Sequence, residues 1–333
     1  MPRKSIIPVF VPHLGCPHDC VFCNQRHISG QTARQTAQSV TDIIKDGLKK
    51  AGDGREVEIA FYGGSFTAIP EREQEDLLGA AQPFLRGGSV SSIRLSTRPD
   101  CIDGETLDRL FHFGVCTIEL GSQSMCDDVL ELSGRGHTAE DTRLAAAAIK
   151  SRGFSLILQM MTGLPGDTRE KTMYTAKEIV SLRPDGVRIY PTVIVRDTAL
   201  YEMWKNGEYP EHTVEAAVEW CADILPVFEK AGIPVIRLGL NPTEELSEGL
   251  AAGGAYHPAL GELVRSRVFL RKAEKLLEKC GGRASVLGVE KSRVSIMTGQ
   301  KRCNIIALEN KFGINGLKVV SAEVGKDEVK IIE

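Results

Sequence analysis

The sequence predicts an α/β protein: a partial (β/α)6 barrel of the TIM type over residues 1–240, then a small basic α/β domain over 255–333. Three observations predict it. Six strand-like segments alternate with amphipathic helical ones, and such repeats imply parallel strands joined by helical crossovers. Residues suited to chemistry recur just after those strands, where barrel sites are built. Charge also divides: residues 258–333 hold 15 Lys and Arg against 9 Asp and Glu, leaving −9 elsewhere in a chain of net charge −3.

In chain order, residues 7–11 read as the first strand, and Val40, Ile43, Ile44 and Leu48 then recur at helical spacing. Val57, Ile59 and Phe61 alternate as a second strand that ends at Gly63-Gly64. Pro70 opens a helix carrying Leu77, Leu78 and Ala81 on its apolar face. Ile93 and Leu95 mark the third strand, and 115–120 the fourth. Thr138 caps a helix that Gly153 stops near Arg152. Residues 154–160 are the fifth strand, 168–182 a helix and 187–190 the sixth strand. Helices follow over 199–205 and 213–231, then a strand over 235–238. Asn241-Pro242 and Gly253-Gly254 bracket a connection. In the tail the pattern predicts a helix over 258–279, strands over 284–289, 294–297, 316–320 and 328–332, and a helical segment over 301–311.

At 333 residues with 42% hydrophobic and 26% charged positions, the chain can bury a full core and does not resemble a disordered one. It holds no apolar run of eighteen residues, so no membrane span is expected. The apolar start is broken by Pro8, Pro12 and His13 without a cleavage site, so no signal peptide is expected and the predicted location is the cytoplasm. An acidic body with a basic tail suits a polyanionic partner such as RNA; it also suits a merely solvated basic face.

Three of nine cysteines fall in Cys16-Pro17-His18-Asp19-Cys20-Val21-Phe22-Cys23, directly after the first strand. Such a cluster in a reducing compartment reads as a metal site. Three thiolates can wrap one face of a 4Fe-4S cubane, and a fourth ligand is then missing, which leaves one iron open. The competing structure is a zinc site completed by His13, His18 or His27, although no second cysteine hook exists. The other six cysteines stand singly and read as small hydrophobes.

Cys-x3-Cys-x-Phe-Cys after a first strand resembles the signature of the radical S-adenosylmethionine (SAM) superfamily. Leu95-Ser96-Thr97-Arg98-Pro99-Asp100, Glu119-Leu120-Gly121-Ser122-Gln123-Ser124, Arg135-Gly136-His137-Thr138 and the stretch around Tyr190-Pro191-Thr192 resemble the radical SAM domain of the Elongator catalytic subunit. Gly163-Leu164-Pro165-Gly166-Asp167-Thr168 is similar to the oxygen-independent coproporphyrinogen oxidase group. The resemblance implies a cluster on Cys16, Cys20 and Cys23, with SAM chelated at the open iron and an electron passed to its sulfonium to give a 5′-deoxyadenosyl radical. It implies SAM contacts at Phe10, Phe22, Gly64, Ser65, Ser96, Gln123, Arg135 and Gln159. Arg135 suits a carboxylate, Gln123 and Gln159 suit ribose hydroxyls, and Gly64-Ser65 offers backbone to the amino group. Ser96 and Gln159 depart from the acid that many relatives carry there. A low-potential flavodoxin or ferredoxin is the implied electron donor.

The tail of about 76 residues looks too short for Elongator's acetyltransferase domain, so carboxymethylation of tRNA is not carried over. Two substrates stay open: tRNA or another nucleobase-bearing RNA, gripped by Lys291, Arg293, Lys301, Arg302, Lys311 and Lys318, or a free small metabolite such as a modified base. Tyr190, Tyr256 and His257 are candidate substrate contacts. A non-catalytic iron–sulfur or zinc protein is the reading from another class.

Overall fold

A computed structural model describes residues 4–11, 16, 18–23, 34–52, 55–241 and 249–332. Seven parallel strands curl into a half-barrel: β1 (Lys4–Val11), β2 (Glu56–Gly63), β3 (Ser92–Thr97), β4 (Val115–Gln123), β5 (Ser155–Thr162), β6 (Gly186–Pro191) and β8 (Val235–Leu238). The last, expected as a strand over 235–238, joins the sheet as a seventh member beyond the expected (β/α)6 unit. β7 (Val193–Val195) lies outside this sheet and pairs antiparallel with β9 (Ala251–Gly254).

The crossovers are α1 (Ala37–Ala51), α2 (Glu71–Arg86), α3 (Gly104–His112), α4 (Asp127–Leu132), α5 (Ala139–Ser151) and α6 (Arg169–Ser181), then α7 (Ala199–Lys205) and α8 (Val214–Lys230). Alternate strand residues explain the layering. Ile59, Phe61, Ile93, Leu95, Ile118, Leu120, Leu158 and Ile189 face the helices and are wholly buried. The opposite residues on the same strands (Tyr62, Arg94, Glu119, Gln159 and Arg188) meet one another on the concave face.

The tail forms a second sheet from β10 (Val286–Val289), β11 (Lys318–Ser321) and β12 (Val329–Ile331). Against it pack α9 (Leu260–Lys279), α10 (Val294–Thr298) and α11 (Cys303–Phe312). One helix serves two cores: Leu260, Val264 and Val268 of α9 join the barrel core, whereas Phe269, Ala273 and Leu277 join the tail core.

Two expectations need correction. Residues 294–297, expected as a strand, are helical, because the Asn304 amide donates to the carbonyls of Met297 at 3.0 Å and Ile296 at 3.4 Å and so closes the helix C-terminus. The connection expected to end at Gly253-Gly254 contains a strand instead. There Gly254 (φ 80°) lies so near β7 that a Cβ would meet the Thr192 carbonyl oxygen at 2.7 Å.

Candidate active site

The site grows from the C-terminal ends of the strands. β2 ends at Gly63, whose φ of 115° and close approach to Val11 (a Cβ would lie 2.3 Å from its carbonyl oxygen) bring the two strand ends together. Gly64 N–H then donates to Val11 at 3.2 Å, which aims the Gly64-Ser65 turn at the cysteine loop. The Ser65 backbone N–H points at the Cys16 thiol, and the Ser65 hydroxyl sits 2.8 Å from that of Thr97 at the end of β3.

The cysteine loop is strapped from two sides. Val21 N–H donates to the Ser133 carbonyl at 3.1 Å, and Leu200 N–H of α7 donates to the Val21 carbonyl at 2.7 Å. Cys23 N–H closes a turn on the Cys20 carbonyl at 3.0 Å. Gly134 and Gly136 allow this contact. A Cβ at Gly134 would stand 3.1 Å from the Asp19 carbonyl, and one at Gly136 only 2.3 Å from His18 Nε2.

Between those glycines lies Arg135, buried and forked. It donates to the Gly121 carbonyl at 2.6 Å and reaches the Cys20 sulfur at 3.4 Å. Arg98, also buried, holds Asp100 at 2.9 Å and donates to the Arg135 carbonyl. Burial pushes the Cys16 thiol up, and the Ser65 N–H, Arg98 and Arg135 pull it back. Two guanidiniums beside sulfur suit thiolates, the form in which cysteine binds metal.

Gln123 ends β4 with φ 60° at a break in the register with β5, and this turns its side chain back over Gly121. A non-glycine residue held there costs of order 1–3 kcal/mol and is found where a site demands it. Around the loop, Arg98 Nη1, Gln123 Oε1, Arg135 Nε and His137 Nδ1 are buried and have no hydrogen-bond partner among the described residues. Buried polar atoms without a partner are uncommon, and a bound ligand is one explanation where several stand together. Donors on two arginines and an acceptor on Gln123 fit a zwitterion with hydroxyl groups. Burial holds His137 down to about 4, so it stays neutral, with Nε2 3.2 Å from the Ser122 carbonyl.

The structure therefore gathers Cys16, Cys20, Gly64, Ser65, Gln123 and Arg135 into one cluster. Gln159 faces Gly121 across the β4–β5 pair, Ser96 faces Glu119, and Phe10 faces Tyr62. Phe22 packs with the apolar group of Ile194, Leu200 and Tyr209. Tyr190 lies on the concave face beside Arg188, where burial raises its phenol. Tyr256 and His257 follow β9, and the Ala255 N–H donates to the Thr192 carbonyl at 2.9 Å. His13 and His27, the other offered zinc ligands, lie outside the described residues. Among the described residues no three His, Cys, Asp or Glu side chains converge on a single ion. A cubane spreads its thiolates over separate irons, so it asks for no such convergence.

Sequence reasoning missed Arg98 and the buried group of Glu119, Arg94, Arg188 and Tyr62. Glu119 is fully buried, with Arg94 Nη1 at 3.1 Å, Arg188 Nε at 2.7 Å and the Tyr62 hydroxyl at 3.0 Å. The available signal was one charged residue (Arg94, Glu119 or Arg188) in the middle of each of three strands whose other face is apolar.

The radical SAM superfamily model matches residues 10–179, and the Radical_SAM C-terminal domain model matches 184–269. A tRNA uridine(34) acetyltransferase of Methanocaldococcus infernus is 37% identical over 65% of this chain and 48% of its own length. Elongator complex protein 3 of Saccharomyces cerevisiae is 31% identical over 54% of this chain and 36% of its own. The chain thus spans less than half the length of these curated relatives. Among solved structures, the archaeal Methanocaldococcus infernus Elp3 with an N-terminal deletion superposes with a TM-score of 0.62 at 23% identity, over 86% of this chain and 65% of that one. Escherichia coli coproporphyrinogen III oxidase (HemN) superposes at 0.53 and 19%, over 69% and 53%. With a family model covering half the chain and a matching half-barrel, this protein belongs to the radical SAM superfamily of enzymes.

Proposed function

We propose that Cys16, Cys20 and Cys23 hold a 4Fe-4S cluster, that SAM binds beside it, and that the substrate is a nucleobase in tRNA or a related RNA. The observation that carries the cofactor reading is the set of buried atoms on Arg98, Gln123 and Arg135, next to the cysteine loop, that have no partner among the described residues. The fit is chemical: thiols beside guanidiniums for the cluster, donors for a carboxylate, acceptors for hydroxyls and an amine. When bound, such a cluster supplies one electron to the sulfonium of SAM and so gives access to radical chemistry.

This chain's own residues bind, orient and shield. Arg135 offers its Nε to a carboxylate while its Nη2 keeps the Gly121 strand end in place. The Gly64-Ser65 turn presents backbone to an amino group. Gln123 ends β4, and Gln159 lies on the adjacent β5 opposite Gly121, close enough for the two to serve hydroxyls of one sugar. A flavodoxin- or ferredoxin-type protein would deliver the electron.

The RNA reading draws on the relatives named for tRNA uridine(34) and on the tail. Lys311 is tied to Glu274 and Glu278 at 3.2 Å each, and Arg293 reaches Asp327 at 3.5 Å. Lys291, Lys301, Arg302 and Lys318 remain as exposed cations.

The test is anaerobic reconstitution with iron and sulfide, then dithionite and SAM, with 5′-deoxyadenosine read by mass spectrometry. Wild type is expected to release it, and Cys→Ala at position 16, 20 or 23 to abolish both release and the cluster absorbance. Release that survives those substitutions would end the cofactor reading. For the substrate, tRNA affinity should fall by about 0.7–0.9 log units per log unit of salt for each phosphate gripped. Binding indifferent to salt, or unchanged in the K301E/R302E double variant, would end the RNA reading.

A further inference from the structure

We propose that Glu119 is a positioning residue that locks the Gln159 side-chain amide with its carbonyl oxygen turned toward the bound ligand, making Gln159 a fixed acceptor for a sugar hydroxyl. The proposal rests on the SAM reading above and deepens it.

Gln159 Nε2 donates to Glu119 Oε2 at 3.2 Å. An ionised carboxylate only accepts hydrogen bonds, so only the NH2 end of an amide can face it. The direction of the amide therefore follows from chemistry. A glutamine with no such neighbour can present either end to a ligand.

Glu119 itself has no freedom to turn. Its Oε1 takes Arg94 Nη1 at 3.1 Å, Arg188 Nη2 at 3.0 Å and the Tyr62 hydroxyl at 3.0 Å. Arg188 Nε stands 2.7 Å from Oε2, beside the Gln159 contact. Two guanidiniums form ion pairs with the buried carboxylate, and a second carboxylate, Glu58, pairs with Arg94 at 2.5 Å from behind. The residues come from β2, β3, β4, β5 and β6, so the amide is braced by most of the sheet.

The acceptor this creates is needed where it stands. Gln159 lies opposite Gly121, whose carbonyl is already taken by Arg135 and which Gln123 Nε2 overhangs. The neighbouring side chains offer mainly N–H groups. A ribose brings hydroxyl donors, and the Gln159 oxygen gives one of them a partner.

Two readouts test this. In the chain without SAM, the side-chain NH2 protons of Gln159, followed by 15N NMR, should exchange with water more slowly in wild type than in E119Q. Equilibrium dialysis of SAM against the reconstituted chain should show E119Q binding about tenfold more weakly, one hydrogen bond's worth, with its melting temperature monitored. The exchanged pair E119Q/Q159E restores a one-way N–H to carboxylate bond and should return affinity to within about threefold of wild type, whereas Q159E alone should not. E119Q that is folded and binds SAM as wild type does, or a wild-type Gln159 amide that exchanges freely, would overturn the proposal. A wild type with a protected amide and no affinity for SAM would instead overturn the cofactor reading, and with it the ligand assigned to this oxygen.

Discussion

Gly136 shows how one atom's worth of space positions a metal loop. Its φ of 70° is open to glycine, and His18 fills the place a side chain would take. Gly136→Ala must both strain the backbone and push His18 outward, and His18 lies between two of the thiols. The expected cost is about 1 kcal/mol or more, the usual penalty for alanine at positive φ. Because the pushed segment is the cysteine loop, iron per chain after reconstitution should fall further than the melting temperature alone would suggest. An alanine variant with full iron content would show that the loop does not lean on this glycine. Arg135 next door depends on the same geometry, since its two flanking glycines let the backbone graze the loop while the guanidinium turns inward.

At the level of elements, Asn304 decides the structure of a segment that its own residues do not. Its amide caps Ile296 and Met297 and also donates to the Ser266 hydroxyl of α9 at 2.9 Å. Replacing Asn304 by Ala leaves buried carbonyls unmet, at about 1–3 kcal/mol. The tail should then lose helical signal and amide-exchange protection around 294–298 before the barrel does; simultaneous loss in both units would refute that order. The same interaction explains why 294–297 was not legible. Val-Ser-Ile-Met alternates like a strand, and the deciding contact comes from a residue further along the chain. The barrel strands were legible as runs of strong β-formers, down to the 235–238 strand, and most adjoin helices of clear period, although the helices over Gly104–His112 and Asp127–Leu132 were not legible. Ala251–Gly254 was not, since glycine in a strand carries no packing signal and its reason, close approach to β7, is tertiary. The cysteine loop, the Gly64-Ser65 turn, Gln123 and Arg135 were legible as motifs at strand ends. Glu119 was not, because its meaning depends on Arg94 and Arg188 lying on neighbouring strands, and a single sequence does not say which strands adjoin.

For the molecule as a whole, three buried groups among the described residues have large shifts that act in mild acid. Burial holds His137 and His212 down to about 4, against 6.5 in an open chain. Between those values the unfolded chain binds the extra protons, so stability falls as pH drops from about 6.5 to 4 and levels off below. Asp167 opposes this: burial raises it from 3.8 to about 6, so the folded state binds its proton over nearly the same window. Two groups outweigh one, and chemical denaturation should show a net loss from pH 7 to 4.5. His212→Asn, which replaces a ring bonded through Nε2 to Thr162 at 3.1 Å, should flatten that slope. A slope that is flat in wild type, or unaltered in the variant, would contradict the assignment.

Helix α9, whose two halves are sunk in different cores, also works as a caliper. Its 20 residues make a rod of about 30 Å with no hinge between barrel and tail. Whatever the tail's cations hold is thereby kept at a set distance from the strand ends. Reach, rather than base identity alone, would then select which position of a long polymer is presented for reaction.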